Sequence, residues 1–344
     1  MKRVFGIAAA ARLIRWGLGA GAIVASSALP AVVAQIPAQT PALELETKIP
    51  LGAVRGRIDH LAIDAARQRL YVAELGNDTV GVIDLKERKV VRTLEGFREP
   101  QGIGYVASTD TVYVANAGDG SVRLFEGDKL TPAGQLSLGD DADNVRVDER
   151  AHRVYVGYGS GGLAVIDPAA RKKIADIPLK AHPESFRLES RGQRIFVNVP
   201  DAREIAIVDR RAGRQTASWQ TGGLRSNFPL ALDEAGHVLA VFRHPARLAV
   251  LRELDGHLLA ALETCGDSDD LFVDARRHRV YVSCGEGFID AFAQSGDSYR
   301  RIAHIKTAPG ARTAFFSPEA DRLFLAVRAV DANPAAIWVY RPAP

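Results

Sequence analysis

A set of polar residues recurs along the 344-residue chain at a nearly constant step. Asp59, Gln101, Asp143, Glu184, Asn227, Asp269 and Arg312 follow one another at intervals of 41 to 43 residues. Four are carboxylates, two are amides and one is a guanidinium. Directly after each comes a second set: His60, Gly102, Asn144, Ser185, Phe228, Asp270 and Thr313. A packed core is not built from the first set, because unpaired buried charge is costly. Two chemistries fit it. Spread around a solvated opening, with Arg57, Arg225 and Arg312 as ion-pair partners, these groups make a water-filled channel mouth, whose polar rim is also the expected place for a ligand. Drawn to one point, Glu184, Asn227 and Asp269 offer oxygen ligands to a hard cation, with Ca²⁺ as the fitting ion.

Other chemistries find little footing. The eight histidines include no H-x-H or H-x-x-x-H pair, so a zinc site has no support. His152, His237 and His278 are expected in solvated turns, and His60 and His182 on the same rim as the carboxylates. There is no Cys-x-x-Cys-His for covalent haem, no Gly-x-Ser-x-Gly elbow and no phosphate loop. Trp219 and Trp338 fall in strand-like stretches and read as packing.

The elements that must hold the rim are visible as a repeat. Leu70-Tyr71-Val72 returns as Val112-Tyr113-Val114, Val154-Tyr155-Val156, Ile195-Phe196-Val197, Val238-Leu239-Ala240, Val280-Tyr281-Val282 and Leu323-Phe324-Leu325. An Asp/Arg-rich turn precedes the aromatic residue and a run such as Val80–Asp84 or Leu163–Asp167 follows it. Short β-branched and aromatic runs separated by Gly, Asn and Asp are antiparallel strands joined by tight turns. Four such strands about every 42 residues make a β-propeller blade. Seven units make a single all-β, seven-bladed β-propeller spanning 42–344. The last unit lacks a fourth strand, and Thr47-Lys48-Ile49-Pro50-Leu51 resembles the fourth strand of the third blade. Residues 42–51 are therefore expected to close the ring and remove its free edges.

The repeats "RLYVAELGNDTVGVIDLKERKVV" and "HRVYVGYGSGGLAVIDPAARKKI" resemble the YVTN (YncE-like) seven-bladed propellers. The resemblance covers 42–344 and implies the fold far more than an activity. It implies an exported protein; some members of the family bind DNA, and related propellers serve in periplasmic redox enzymes. The fifth blade departs most, with Phe242-Arg243-His244-Pro245 in place of the usual turn.

Propeller geometry puts the loops entering the first strand of each blade on one rim, so the two polar sets form successive layers there. Cys265 and Cys284 fall on that rim in neighbouring blades, and an isolated pair so placed in an exported protein reads as a disulfide. The alternative is a redox pair or copper thiolates, for which no Met or paired His stands nearby.

Lys2, Arg3, Arg12 and Arg15 lead into small apolar residues ending Val32-Val33-Ala34, a secretory signal over 1–34 with 35–41 as linker. An uncleaved anchor is the alternative. No Cys stands near this site for a lipid anchor, and no Arg pair marks the twin-arginine route. The chain holds 44 Lys and Arg against 41 Asp and Glu, and four of the cations fall in the signal. The mature protein is near neutral, which disfavours nucleic acid, and it needs no membrane once the signal is removed. It reads as a monomer in the periplasm or outside the cell.

Three functions compete. The first is a non-enzymatic binding or scaffold protein whose polar rim holds a protein or a small molecule. The second is a Ca²⁺-dependent hydrolase of the lactonase kind, by analogy with other propellers. The third is the propeller subunit of a periplasmic oxidoreductase. The missing nucleophile–base motif favours the first.

Overall fold

The computed structural model describes residues 41–344. The expected signal, 1–34, and all of the expected linker but Pro41 lie outside the described residues.

Each repeat folds as a four-stranded antiparallel meander, and seven such sheets form the ring. The first blade runs Leu61–Asp64, Arg69–Glu74, Thr79–Asp84 and Lys89–Leu94. Its turns explain the motif. The aspartate ending the third strand caps the turn behind it: Asp84 Oδ1 accepts from the Glu87 N–H at 2.8 Å, Asp167 Oδ1 from Ala170 at 3.0 Å and Asp209 Oδ1 from Ala212 at 2.8 Å. Carboxylates that bond their own backbone a few residues on are the natural residues for such turns. The chain then passes through a left-handed residue, Arg88, Arg171 or Gly213, before the fourth strand.

Burial peaks in the second and third strands of each blade and is least in the fourth. The repeat aromatics Tyr71, Tyr113, Phe196 and Tyr281 are fully buried between blades. Tyr71, for example, packs with Ile103, Val112 and Phe125 of the second blade. Fourth strands face water: in Lys172–Pro178 only Ile177 is buried. Polar clasps reinforce the apolar interfaces on the face opposite the rim. Arg67 joins the second blade through Asp110, and Arg277, at the same repeat position five blades on, joins the seventh through Asp321 at 2.7 and 2.8 Å.

Ring closure is as expected. Leu43–Pro50 pairs antiparallel with Ala336–Pro342, setting Ile49 against Ile337 and Lys48 against Trp338. Ile49 is buried with Leu61 and Leu70 of the first blade, so one strand completes the seventh sheet and also seals it to its neighbour. Among the described residues no helix is long and apolar enough to cross a membrane.

One histidine expectation fails. His152 and His278 are exposed, but His237 is 2% exposed. Its Nδ1 lies 2.8 Å from Asp233 Oδ2 and its ring meets Tyr299 edge-on, because the fifth blade's turn folds under the sixth.

Candidate functional site at the channel mouth

The ring positions are held by a repeated backbone lock to the second strand. Asp59 N donates to Ala73 O, Asp143 N to Gly157 O and Glu184 N to Asn198 O, at 2.7 to 2.9 Å. The return bonds run from Ala73 N to His60 O, Gly157 N to Asn144 O and Asn198 N to Ser185 O, at 3.0 to 3.1 Å. In the second and sixth blades the strand bulges across Gln101 and Asp269, and in the fifth it bulges just after Asn227, which still pairs with Phe242. Bulges turn a side chain away from the sheet plane, and here they turn Gln101 and Asp269 out of the ladder.

The ring is not uniform. Asp269 is fully engaged, with Oδ1 taking Arg243 Nη2 at 2.7 Å and Oδ2 near Arg312 Nε at 3.1 Å. Arg312 also grips Asp267 at 2.9 and 3.1 Å. Asp59, 1% exposed, has Arg57 Nη2 at 2.8 Å. Arg225, expected as a third partner, is exposed and forms no ion pair among the described residues; Arg243 stands in its place. The departing turn of the fifth blade explains the exchange, because it lengthens the second strand to His237–His244 and carries Arg243 to the rim. There Arg243 lies over the Phe228 ring, 3.7 Å from its centroid.

The other half of the ring lacks cations. Asp143 Oδ1 is buried with no hydrogen-bond partner, and its Oδ2 takes only the Asn144 amide at 3.2 Å. His60 Nε2 stands 3.9 Å from Asp143 Oδ1 and 3.8 Å from Asp59 Oδ1. Between the first and third blades stands Gly102, where a Cβ would lie 1.9 Å from Asp143 O, so the second and third blades approach closely there. Among the described residues the Glu184 carboxylate has no hydrogen bond or ion pair. Asn227 is fully buried and donates Nδ2 to Asn198 Oδ1 and Glu204 O at 2.9 and 3.1 Å, leaving its Oδ1 without a partner.

Burial alters the titration of the mouth. Desolvation, with Asp59 and Glu184 nearby, pushes Asp143 well above the usual carboxylate range. Burial and then Asp269 raise Glu184 to about 7, and burial with the same neighbour raises Asp270 to about 7. Burial, then the Arg146 guanidinium, lowers His60 to about 3. At neutral pH the mouth therefore carries less charge than its composition suggests.

Deeper in the channel lies a cavity of about 290 Å³ on the propeller axis, lined by the inner strands of six blades. His60, Arg146, Arg187 and Asp270 share it with apolar side chains such as Phe272 and Phe315. The two arginines lie one layer below the two polar layers of the rim. The same register carried two residues deeper reads Ala62, Gly104, Arg146, Arg187, Leu230, Phe272 and Phe315, and would have shown them in adjacent blades.

Among the described residues no group of three or more His, Cys, Asp and Glu is gathered as a metal-binding cluster. Glu184, Asn227 and Asp269 could meet one cation only if Asp269 left its two guanidiniums. On the same rim Cys265 and Cys284 form a disulfide, both buried, with Cα atoms 5.9 Å apart.

No family profile matches the chain. Its repeats align with the proteins described as uncharacterized protein YncE. The identity is 26% over 168 residues in Salmonella typhi and Salmonella typhimurium, and 29% over 169 residues in Escherichia coli O157:H7. With those relatives, seven blades and matching repeats point one way. The chain is a seven-bladed β-propeller similar to YncE. The alignments cover 44% of it and 48% of each relative, so it matches about half the length of those proteins. Among solved structures, this YncE-like propeller superposes on a chain of the mitotic checkpoint complex with a TM-score of 0.75, covering 95% of this chain and 100% of that one at 12% identity. On a chain of Kuenenia stuttgartiensis hydrazine synthase the TM-score is 0.65 at 15% identity, covering 85% and 98%. Both likenesses are of fold alone.

Proposed function

We propose that this YncE-like propeller is an exported binding protein that takes its ligand at the channel mouth. One observation carries the reading: Asp143 Oδ1 and Asn227 Oδ1 are buried acceptors without donors, beside a Glu184 carboxylate without a cation. Buried polar atoms in folded proteins almost always find a partner, and several unsatisfied acceptors on one rim suit a ligand that supplies N–H or O–H groups. The buried disulfide supports an oxidising compartment, in line with a cleaved signal over 1–34.

The test is a thermal-shift and calorimetric screen of polyols, amines, peptides and Ca²⁺ on the mature protein, repeated on Asp143→Asn. Loss of a saturable response in the variant supports the mouth as the site. A response that Asp143→Asn leaves unchanged removes it. A Ca²⁺ response abolished by Glu184→Gln would favour the hydrolase reading. Cell fractionation with N-terminal sequencing tests export.

A further inference from the structure

Arg146 and Arg187 occupy the same repeat position in the third and fourth blades. Where they stand, the other blades place Ala62, Gly104, Leu230, Phe272 and Phe315, so neither cation is a requirement of the repeat. Their guanidiniums converge on one carbonyl. Arg146 Nε donates to Phe186 O at 3.1 Å and Arg187 Nη1 to the same oxygen at 3.3 Å. Arg146 also donates to Val145 O at 2.9 Å, to Asn144 Oδ1 at 2.8 Å and to Ser185 Oγ at 3.3 Å. For Arg187 no further hydrogen bond is found among the described residues.

Neither arginine has a carboxylate within 4.0 Å among the described residues, although the mouth above is rich in them. Each other arginine on this rim that faces the axis has its acid: Arg57 has Asp59, Arg243 has Asp269 and Arg312 has Asp267. Asp270 shares the cavity, yet its Oδ2 accepts the Ala314 N–H at 2.8 Å and it stays beyond ion-pair reach. Two neighbouring half-buried cations without a counter-charge in contact are unfavourable, and paired guanidiniums are the natural partner of a planar oxyanion. Apart from His60, Tyr105 and Asp270 the rest of the wall is apolar, with Ile103, Val147, Phe272 and Phe315 facing the same space. A cavity of about 290 Å³ holds a small molecule and excludes a chain.

We infer that Arg146 and Arg187 form an anion site in the channel for a small carboxylate with a compact apolar or aromatic body, the carboxylate on the guanidiniums and the body against Phe272 and Phe315. This deepens the reading of the channel mouth as a binding site, and rests on it for access only.

The test is calorimetry and thermal shift with phenylacetate and isovalerate, against phenylacetamide and inorganic phosphate. The carboxylates are expected to bind saturably and raise the melting temperature, and phenylacetamide to do neither. Arg187→Gln should weaken phenylacetate on the order of tenfold or more, with Arg187→Lys retaining part of the affinity. The ligand-free Arg187→Gln protein should melt no lower than the parent, since it loses a like-charge neighbour, and circular dichroism confirms its fold. No response to either carboxylate in the parent, or a response unchanged in both Arg146→Gln and Arg187→Gln, overturns the site. Phosphate binding as well as phenylacetate overturns the apolar body. Asp143→Asn separates the two proposals. Carboxylate binding that survives it while a rim ligand is lost leaves both standing. A rim ligand lost in Asp143→Asn, with no carboxylate bound by any form, rejects the anion site alone.

Discussion

Arg67 of the first blade holds both carboxylate oxygens of Asp110 in the second, each at 2.7 Å. The same guanidinium reaches back to the buried Asp64 at 2.7 Å. Bidentate charge-assisted pairs are the strong ones, but Arg67 and Asp110 are each about a third exposed, so water screens them. Arg67→Ala should lower stability by about 1–2 kcal/mol, most of it from Asp64 left without its cation. Thermal unfolding followed by circular dichroism checks this. A double-mutant cycle with Asp110→Ala should return a coupling of about 1 kcal/mol or less.

The two halves of the ring should respond oppositely to neutralisation. Glu184 ionises near 4.5 when unfolded and at about 7 when folded, because burial disfavours its charge. The folded state thus keeps a proton that the unfolded state has released, and the stability this contributes is present below pH 4.5 and lost as pH rises towards 7. Glu184→Gln should flatten that slope and raise stability at pH 8 by about 1–3 kcal/mol. Asp269→Asn should lower stability by about 1–3 kcal/mol across the same range, since it takes the nearer acid from Arg243 and leaves it Asp267 at 3.4 Å. Urea titrations from pH 4 to pH 8 read both. If both variants are destabilised alike, the division of the ring is wrong.

The disulfide closes a separation of 19 residues. In the chain-entropy account this contributes about 3 kcal/mol, and Cys284→Ser should lower the melting temperature accordingly without changing the far-ultraviolet spectrum. Thiol labelling without reductant on the mature protein should find nothing to modify; labelling at both positions would revive the redox-pair or copper reading.

Deleting 42–51 should leave Ala336–Pro342 as an open edge carrying Ile337 and Val339. Exposed edges template aggregation, so the truncated protein is expected to elute as aggregate on size exclusion. A monomer with an unshifted melting temperature would put the closure elsewhere.

The fold was legible because it is written seven times. One Leu-Tyr-Val run is an ambiguous strand, whereas its return at a fixed step fixes blade number, register and the rim layers. The unfinished seventh unit likewise gave away Leu43–Pro50. The site was legible only in position. Register placed Asp59, Asp143, Glu184 and Asp269 on one rim, but not which of them would meet a cation. That depended on Arg243, which arrives through an irregular turn that no repeat describes. Gly102 shows the same limit: a glycine in the second layer carries no chemistry, yet its lack of a side chain lets the Asp143 backbone pack against it. Arg146 and Arg187 were within reach of the register and were passed over because they lie beyond the strand entrance.

Closure by Leu43–Pro50 also orders events during synthesis. This strand leaves the ribosome first among those of the propeller, and its partner Ala336–Pro342 leaves last. Until then the growing protein is an open arc, with the first and last blades each missing a neighbour. Pairing between chain ends is slow to form, so the last step of folding is unavailable to any incomplete chain. A prematurely terminated product therefore cannot pass as finished: it keeps an adhesive side at each end of the arc, the kind of surface by which chaperones and proteases distinguish unfinished chains.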